Sequence, residues 1–184
     1  TSMIIRDATA ADLQAITDIY AESVNNGVAT YELVPPDLSE MTARFEGITG
    51  NRYPYIVAEE DGVILGYAYA GAFRTRPAYN WICEDSIYLS PEARGRGVGS
   101  ALLAELLSRC ETLGFRQMIA VIGGAHPASV AVHAKAGFEH QGTLKATGYK
   151  HGRWLDTTFM EKTLGEGAST DPDPNAYPGT LYRT

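Results

Sequence analysis

The hydrophobic residues of this chain recur with two periods, which separate predicted helices from predicted strands. Leu13, Ile16 and Ile19 follow the spacing of the apolar face of an amphipathic helix. Tyr67 and Tyr69 alternate with small residues, as on a half-buried strand. Strands are predicted over residues 4–6, 55–59, 63–71, 81–89, 117–122, 138–144 and 154–164. Helices are predicted over residues 9–25, from about 38, over 98–113 and over 129–136.

Glycine, proline and aspartate separate these elements and set the domain boundary. Asp61 and Gly62 form a typical hairpin turn, and Gly114 and Gly137 end two helices. The last two strands are predicted to be joined by a loop that contains residues 148–152. The order β-α-α-β-β-β-α-β-α-β-β predicts one α/β domain with a mixed sheet over residues 1–164. Residues 165–184 contain few apolar side chains, so we expect an extended or disordered tail.

Composition and charge narrow the classes of function. The chain has 184 residues, of which 45% are hydrophobic, an ordinary value for a globular protein. Its formal net charge of −7 disfavours a nucleic-acid partner, and no apolar run is long enough to predict a membrane span. Cys83 and Cys110 lie in apolar segments outside any metal-ligand spacing. We therefore expect buried free thiols, no metal and a reducing, cytoplasmic location.

A glycine-rich segment over residues 86–100 carries the most specific chemical signal. A predicted strand leads into a loop with Gly95, Gly97 and Gly99, and the loop leads into a predicted helix. Glycines allow close approach of a ligand to the backbone, and free N–H groups at a helix start bind anions. A Walker A loop would need a lysine before Ser100, and the dinucleotide fingerprint does not fit either. The segment predicts a phosphate site, although a tight strand-to-helix turn is the structural alternative.

The spacing Arg94-x-x-Gly97-x-Gly99 resembles the pyrophosphate loop of the GNAT superfamily of acetyl-CoA-dependent N-acetyltransferases. Residues 73–89, 120–138 and 148–156 are similar to the corresponding segments of phosphinothricin and methionine sulfoximine acetyltransferases. The resemblance covers roughly residues 3–164. It implies a GNAT-like, mixed and mostly antiparallel central sheet flanked by helices, acetyl-CoA as co-substrate, and a homodimer.

The resemblance also implies a set of cofactor-binding residues. The backbone of Ile87, Tyr88 and Leu89 should pair with the pantetheine arm as an added strand would, which an exposed strand edge permits. His126 stands where the family places asparagine near the pantetheine. The other expected cofactor residues are Arg94, Gly95, Arg96, Gly97, Val98, Gly99, Ser100 and Ser129.

Two residues are the catalytic candidates. Glu84 lies on a predicted apolar strand, which would raise a carboxyl pKa toward the working pH of a general base. It matches the glutamate to which the resembling enzymes assign proton abstraction from the amine, the alternative being a solvated strand residue. Strand alternation places Asp85 on the opposite face. His133 is expected either to protonate the departing thiolate or to pack as a hydrogen-bonded polar residue.

Candidate substrate residues lie before the catalytic strand and after the first helix. Arg74 and Arg76 flank Thr75, and guanidinium groups in a net-acidic protein favour recognition of a carboxylate or phosphinate. Tyr31 is expected to form a wall of the amino-acid pocket. The remaining expected substrate contacts come from the catalytic strand itself and are Glu84, Asp85 and Ser86.

The resemblance implies an enzyme that acetylates the α-amino group of L-methionine sulfoximine, methionine sulfone or L-phosphinothricin, and thereby detoxifies it. One alternative is the same chemistry on another small amine or on a peptide N-terminus. A second alternative is a non-catalytic sensor of acyl-CoA. A polyamine acceptor is disfavoured because Arg74 and Arg76 would repel it.

Overall fold

A computed structural model describes residues 2–181 and 183, and it contains a seven-stranded sheet with helices on both faces. The strands are β1 (Met3–Asp7), β2 (Tyr55–Glu60), β3 (Val63–Ala72), β4 (Ile82–Leu89), β5 (Gln117–Gly123), β6 (Glu139–Lys150) and β7 (Arg153–Thr163). The helices are α1 (Leu13–Asn26), α2 (Leu38–Gly50), α3 (Val98–Leu113), α4 (Pro127–Lys135) and α5 (Tyr177–Thr180). No helix in the described part of the chain is long and apolar enough to cross a membrane.

The sheet runs in the order β1-β2-β3-β4-β5-β7-β6, and only β4 and β5 pair in parallel. The predicted mixed, mostly antiparallel sheet flanked by helices is therefore confirmed. α3 buries Leu102, Leu103 and Leu106 against one face, together with the free thiols that the sequence predicts at Cys83 and Cys110. The apolar side of α1 covers the opposite face, with α2 beside it.

The parallel pair β4 and β5 separates soon after it begins. Register partners join the two strands only at Ile82 with Gln117, Cys83 with Met118 and Glu84 with Ile119. Beyond Glu84, β4 continues to pair with β3, and β5 continues to pair with β7. The facing edges of residues 85–89 and 120–123 have no partner strand across the gap in the described structure. This V-shaped opening positions the site.

The last hairpin differs from the sequence expectation. β6 continues through Gly148 to Lys150, so the predicted loop containing residues 148–152 shrinks to a turn at His151 and Gly152. The reason is that Gly148 does not mark a turn. A side chain there would lie 2.8 Å from the ring of Tyr31, so glycine is needed for close packing inside the strand.

The C-terminal segment also differs from the expected extended or disordered tail. The Arg116 guanidinium donates hydrogen bonds to the carbonyl groups of Gly167, Thr170 and Asp171 at 2.6, 3.0 and 3.2 Å. The Tyr177 ring packs against Phe115 with centroids 5.8 Å apart. A composition argument fails here because the partner that orders the tail is an arginine about fifty residues away in the sequence.

We predict that Arg116→Ala lowers the free energy of unfolding by about 1–3 kcal/mol, because several charge-assisted hydrogen bonds to the tail are lost together. Urea unfolding measures the change. Lys145→Ala removes an exposed cation whose only ion pair in the described structure is with Asp156, and it is the control. Equal stability of the two variants would contradict this account of the tail.

Candidate active site

A cleft of about 670 Å³ occupies the opening between β4 and β5. Residues 84–89 and 121–123 line its two sides, and part of α4 lines a third. The end of α1 and the loop that follows it, residues 27–31, close the side nearest α1. The cleft therefore lies where the unpaired edges of two strands can meet an extended ligand.

Strand alternation divides β4 between the two faces of the sheet. Glu84, Ser86 and Tyr88 face α1, where the Tyr88 ring packs edge-on against Tyr20 at 5.0 Å. Asp85, Ile87 and Leu89 face α3 and α4. A ligand in the opening can thus be reached by Glu84 from one side and by groups of α4 from the other.

Glu84 has the electrostatic setting expected of a general base. Burial, and secondarily the charge of Asp85, raise the pKa of the Glu84 carboxyl to about 7. A carboxylate poised near neutral pH can accept a proton and return it to solvent without a large energetic cost. The side chain lines the cleft, so this basicity is presented to a ligand.

Asp85 and His133 form a buried pair on the opposite side of the strand. The His133 Nε2 atom lies 2.7 Å from Asp85 Oδ2, and Nδ1 lies 2.8 Å from the Ser129 carbonyl oxygen. A carbonyl and a carboxylate both accept, so both ring nitrogens donate and the imidazole is charged. Burial opposes this charge, but the hydrogen bond and charge of Asp85 outweigh it and raise the pKa of His133.

This pair bears on two sequence-based expectations. His133 lines the cleft, but both its ring nitrogens are committed, which favours the hydrogen-bonded packing role over the acid role. Asp85 was expected to contact the substrate. Its side chain is only 4% exposed and its carboxylate binds His133, so it is not free to bind a substrate in this structure.

The glycine loop has the backbone that the sequence requires. Gly95 and Gly97 adopt φ values of 76° and 79°, in the left-handed region that favours glycine. Gly97 precedes the first residue of α3, whose leading N–H groups have no partner inside the helix. The Val98 side chain is 2% exposed and belongs to the core, so this residue can bind a ligand only through its backbone.

The two arginines of this loop point in different directions. Arg94 lines the cleft and pairs with Glu22 of α1 at 2.7 Å. Arg96 pairs instead with Glu60 of β2 at 2.8 Å, away from the cleft lining. Both pairs are exposed and individually weak, so a phosphate could displace either carboxylate.

Other expected cofactor residues also divide between the cleft and its surroundings. The expected cofactor residues that line the cleft are Ile87, Tyr88, Leu89, Arg94, Gly99, His126 and Ser129. Those outside its lining are Gly95, Arg96, Gly97, Val98 and Ser100. The outer group forms the turn and helix start at the mouth, which is where a phosphate, rather than an acyl arm, would lie.

The expected substrate residues divide in the same way. Tyr31, Glu84, Asp85 and Ser86 line the cleft, although the Asp85 carboxylate is bonded to His133. Arg74, Thr75 and Arg76 lie on the exposed loop after β3 and are not part of the cleft lining, and the Arg74 guanidinium covers the Phe73 ring at 5.3 Å. The structure of one chain therefore does not bring these three residues together with Glu84 in a single cavity.

Some cleft residues carry no recognisable signal in the sequence. Val28 and Thr157 line the cleft but belong to a loop and to the last strand. The nearest indication is the glycine pair at 123 and 124. A side chain at Gly123 would lie 2.2 Å from the Val28 carbonyl oxygen, so the glycine is required by a close approach of two chain segments. The partner in that approach could not be known from the sequence.

The described residues hold no group of three His, Cys, Asp or Glu side chains arranged to bind a metal ion. The donors that the cleft does offer are backbone N–H groups of a strand edge and a helix start. These suit an elongated ligand that has an amide-bearing arm and a phosphate group.

Comparison with known proteins places this arrangement in context. A family model described as an acetyltransferase (GNAT) domain matches residues 5–159. A phosphinothricin N-acetyltransferase of Alcaligenes faecalis is 47% identical over 174 residues, covering 94% of this chain and 87% of that protein. An L-methionine sulfoximine/L-methionine sulfone acetyltransferase of Pseudomonas aeruginosa is 38% identical over 164 residues, covering 89% and 95%.

A solved structure is similar over the whole length. It is the crystal structure of a GNAT superfamily phosphinothricin acetyltransferase from Sinorhizobium meliloti in complex with AcCoA. The two chains are 64% identical, each is fully covered, and the TM-score is 0.98. The GNAT-like sheet expected from the family resemblance is confirmed by this match.

Proposed function

This chain belongs to the GNAT acetyltransferase family, and from that premise we propose that it acetylates the α-amino group of a small amino acid such as L-phosphinothricin, L-methionine sulfoximine or L-methionine sulfone. The enzyme is an acetyl-CoA-dependent N-acetyltransferase. The observation that carries the proposal is Glu84, a carboxyl with a pKa of about 7 in the cleft between the separated strands.

The cleft can hold the co-substrate through main-chain groups. The unpaired edge of residues 85–89 offers N–H and C=O groups to the amides of a pantetheine arm. The left-handed glycines and the start of α3 offer N–H groups to a pyrophosphate. Acetyl-CoA supplies the activated acetyl thioester on which the amine acts.

Glu84 prepares the acceptor for attack. An α-amine is mostly an ammonium ion at neutral pH, and it becomes a nucleophile only after losing a proton. The Glu84 carboxylate accepts that proton, directly or through a water. The nitrogen then forms a bond to the acetyl carbon, and the bond between that carbon and sulfur breaks. A backbone N–H of the β4 edge is suited to donate to the carbonyl oxygen as charge develops on it.

His133 has a supporting role in this proposal. Its charged ring joins α4 to β4 through Ser129 and Asp85, which fixes one wall of the cleft. The departing thiolate does not depend on an acid for its release, because thiols ionise near pH 8.5. We therefore assign His133 to the support of the cleft wall.

Recognition of the substrate's acid group stays with the loop that precedes β4. Ala72 pairs with Cys83 at the end of the β3–β4 hairpin, so Arg74, Thr75 and Arg76 follow directly beyond the position of Glu84. A guanidinium at that end can bind a carboxylate or phosphinate in two-point fashion. We propose that this loop binds the acid group of the substrate.

The experiment that tests the function is an assay of free thiol release. The protein is incubated with acetyl-CoA and a panel containing L-phosphinothricin, L-methionine sulfoximine, L-methionine sulfone, arylamines, polyamines and short peptides. Turnover of the first three supports the proposal. Turnover of arylamines or peptides alone contradicts the substrate class, and binding of acetyl-CoA without any turnover would instead identify an acyl-CoA sensor.

We also propose that the enzyme is a cytoplasmic homodimer that associates through the edge strand β6 and its neighbour β7. Leu144 and Trp154 on these strands are 53% and 67% exposed, which is unusual for side chains of this size. We predict that Trp154→Glu converts a dimer into a monomer in sedimentation velocity, because a charge cannot be buried unpaired at an interface. A wild-type monomer, or a Trp154→Glu dimer, would contradict this.

A further inference from the structure

The loop of residues 27–31, called here the roof loop, is fixed onto the β6–β7 hairpin. Lys150 Nζ donates a hydrogen bond to the Thr30 carbonyl at 2.8 Å. The His151 Nε2 atom lies 2.9 Å from the Gly27 carbonyl oxygen. The roof loop forms the side of the cleft nearest α1, which is also the side that Glu84 faces. An acceptor amine that meets Glu84 therefore lies beneath this loop.

Tyr31 connects the roof loop to the other side of the cleft. The Gly124 N–H donates to the Tyr31 hydroxyl oxygen at 3.0 Å. The same oxygen lies 2.7 Å from Thr157 Oγ1 and 3.2 Å from the Asp156 carbonyl oxygen. The ring fits against Gly148, where a side chain would lie 2.8 Å from it. The hydroxyl is thus fully used by the protein.

The segment that Tyr31 holds is a strained turn on the cofactor side. Gly124 and Ala125 adopt successive left-handed conformations with φ values of 64° and 48°. Alanine has a steric cost in this region, so the turn persists only where its surroundings enforce it. The turn leads directly into His126 and Ser129, which line the cleft from α4.

We propose that Tyr31 is a positioning residue that couples the two binding sites, so that coenzyme A and the amino acid each increase the affinity for the other. This inference rests on the proposed function for the identity of the acceptor. A ligand that packs against residues 126–129 stabilises the turn, and the turn presents the Gly124 N–H to Tyr31. A ligand beneath the roof loop stabilises the same hydrogen bond from the opposite side. By linkage the two effects are equal.

Equilibrium binding of free coenzyme A tests this coupling without turnover. Coenzyme A is titrated into the protein by calorimetry, in the absence and in the presence of saturating L-methionine sulfoximine. We expect the amino acid to tighten coenzyme A binding at least about fivefold in the wild type. In Tyr31→Phe, which keeps the ring and loses the hydroxyl, we expect the two dissociation constants to agree within about twofold.

Two further variants separate positioning from a general structural effect. Tyr149→Phe removes a tyrosine hydroxyl from the β6–β7 hairpin that holds the roof loop. That side chain is exposed and lies outside the cleft lining, so the coupling should be retained. Gly148→Ala leaves the Tyr31 hydroxyl in place but introduces a methyl group against its ring, so the coupling should weaken. Steady-state kinetics of Tyr31→Phe should show a raised KM for the amino acid and a kcat within about threefold of the wild type.

The possible results distinguish the role of Tyr31 from the proposed function. Wild-type coupling that survives in Tyr31→Phe overturns the role of Tyr31. Turnover of L-methionine sulfoximine without any coupling in the wild type also overturns it, and leaves the proposed function intact. Failure of the wild type to turn over any amino acid in the panel overturns the proposed function, and this inference with it.

Discussion

Replacing Glu84 by glutamine is expected to lower kcat/KM for the amino acid by about a hundredfold to ten-thousandfold, the usual range for loss of a general base. Glutamine keeps the size of the side chain and cannot accept a proton. The effect is large because no other group on the α1 face of β4 can replace Glu84 as a base near neutral pH. The other titratable residue on that face is Tyr88, and burial raises its pKa well above the ordinary value.

The pH profile gives this prediction a second readout. Burial raises the pKa of the Glu84 carboxyl to about 7, so kcat/KM of the wild type should rise with pH and level off above that value. The profile of Glu84→Gln should lack this inflection and should rise only as the fraction of free amine in solution grows with pH. A wild-type profile without an inflection near neutral pH, or a variant with normal turnover, would remove Glu84 from the mechanism.

Stability measurements show whether the Glu84→Gln variant loses activity because it is less stably folded. Because the folded pKa of Glu84 lies above its unfolded value, the unfolded chain loses this proton first as pH rises, and wild-type stability declines between the two values. Glutamine does not ionise, so the variant should be at least as stable as the wild type above neutral pH. An inactive but stable variant therefore isolates the chemical role.

Replacing Asp85 by alanine is expected to give the largest loss of stability. The carboxylate is buried and bonded to a charged His133, so its removal leaves a buried imidazole that must either stay charged without a partner or give up its proton. Breaking a buried pair in this way costs about 3–5 kcal/mol, which corresponds to a fall of roughly 10 °C in Tm for a chain of this size. Differential scanning calorimetry measures it, with Asp18→Ala, an exposed carboxylate of α1, as the control.

The same pair gives stability a pH dependence of defined sign. The pKa of His133 is raised in the folded state, mainly by Asp85 against the opposing effect of burial. Its contribution is therefore complete below the unfolded pKa of about 6.5, and it is lost as pH rises through the folded value. Asp85→Ala should lose this dependence. If its Tm instead matched that of Asp18→Ala, the pair would not support the cleft wall.

Local patterns in the sequence identify much of this architecture. The strand–loop–helix order of the sequence predicts the glycine turn at residues 95 and 97. Strand alternation predicts the face of β4 on which Glu84 lies. Each depends on residues that are neighbours in the chain. The separation of β4 from β5 could not be predicted in this way, because it depends on where two distant strands stop pairing.

Features that depend on distant partners could not be predicted from local patterns. Tyr31 reaches Thr157, which is 126 positions away, and the C-terminal segment is held by Arg116. Glycine has the same signature in a loop and beneath an aromatic ring, so the packing of Gly148 against Tyr31 could not be predicted. No local pattern reveals that the Asp85 carboxylate will pair with a histidine of another element.

The most direct test of the central claim is identification of the product by mass spectrometry after incubation of the protein with acetyl-CoA and L-methionine sulfoximine or L-phosphinothricin. Our account predicts an amino acid that has gained one acetyl group on its α-nitrogen, formed together with an equal amount of free coenzyme A, and it predicts that Glu84→Gln forms little of either. Unmodified amino acid after prolonged incubation with a protein that binds acetyl-CoA would contradict it.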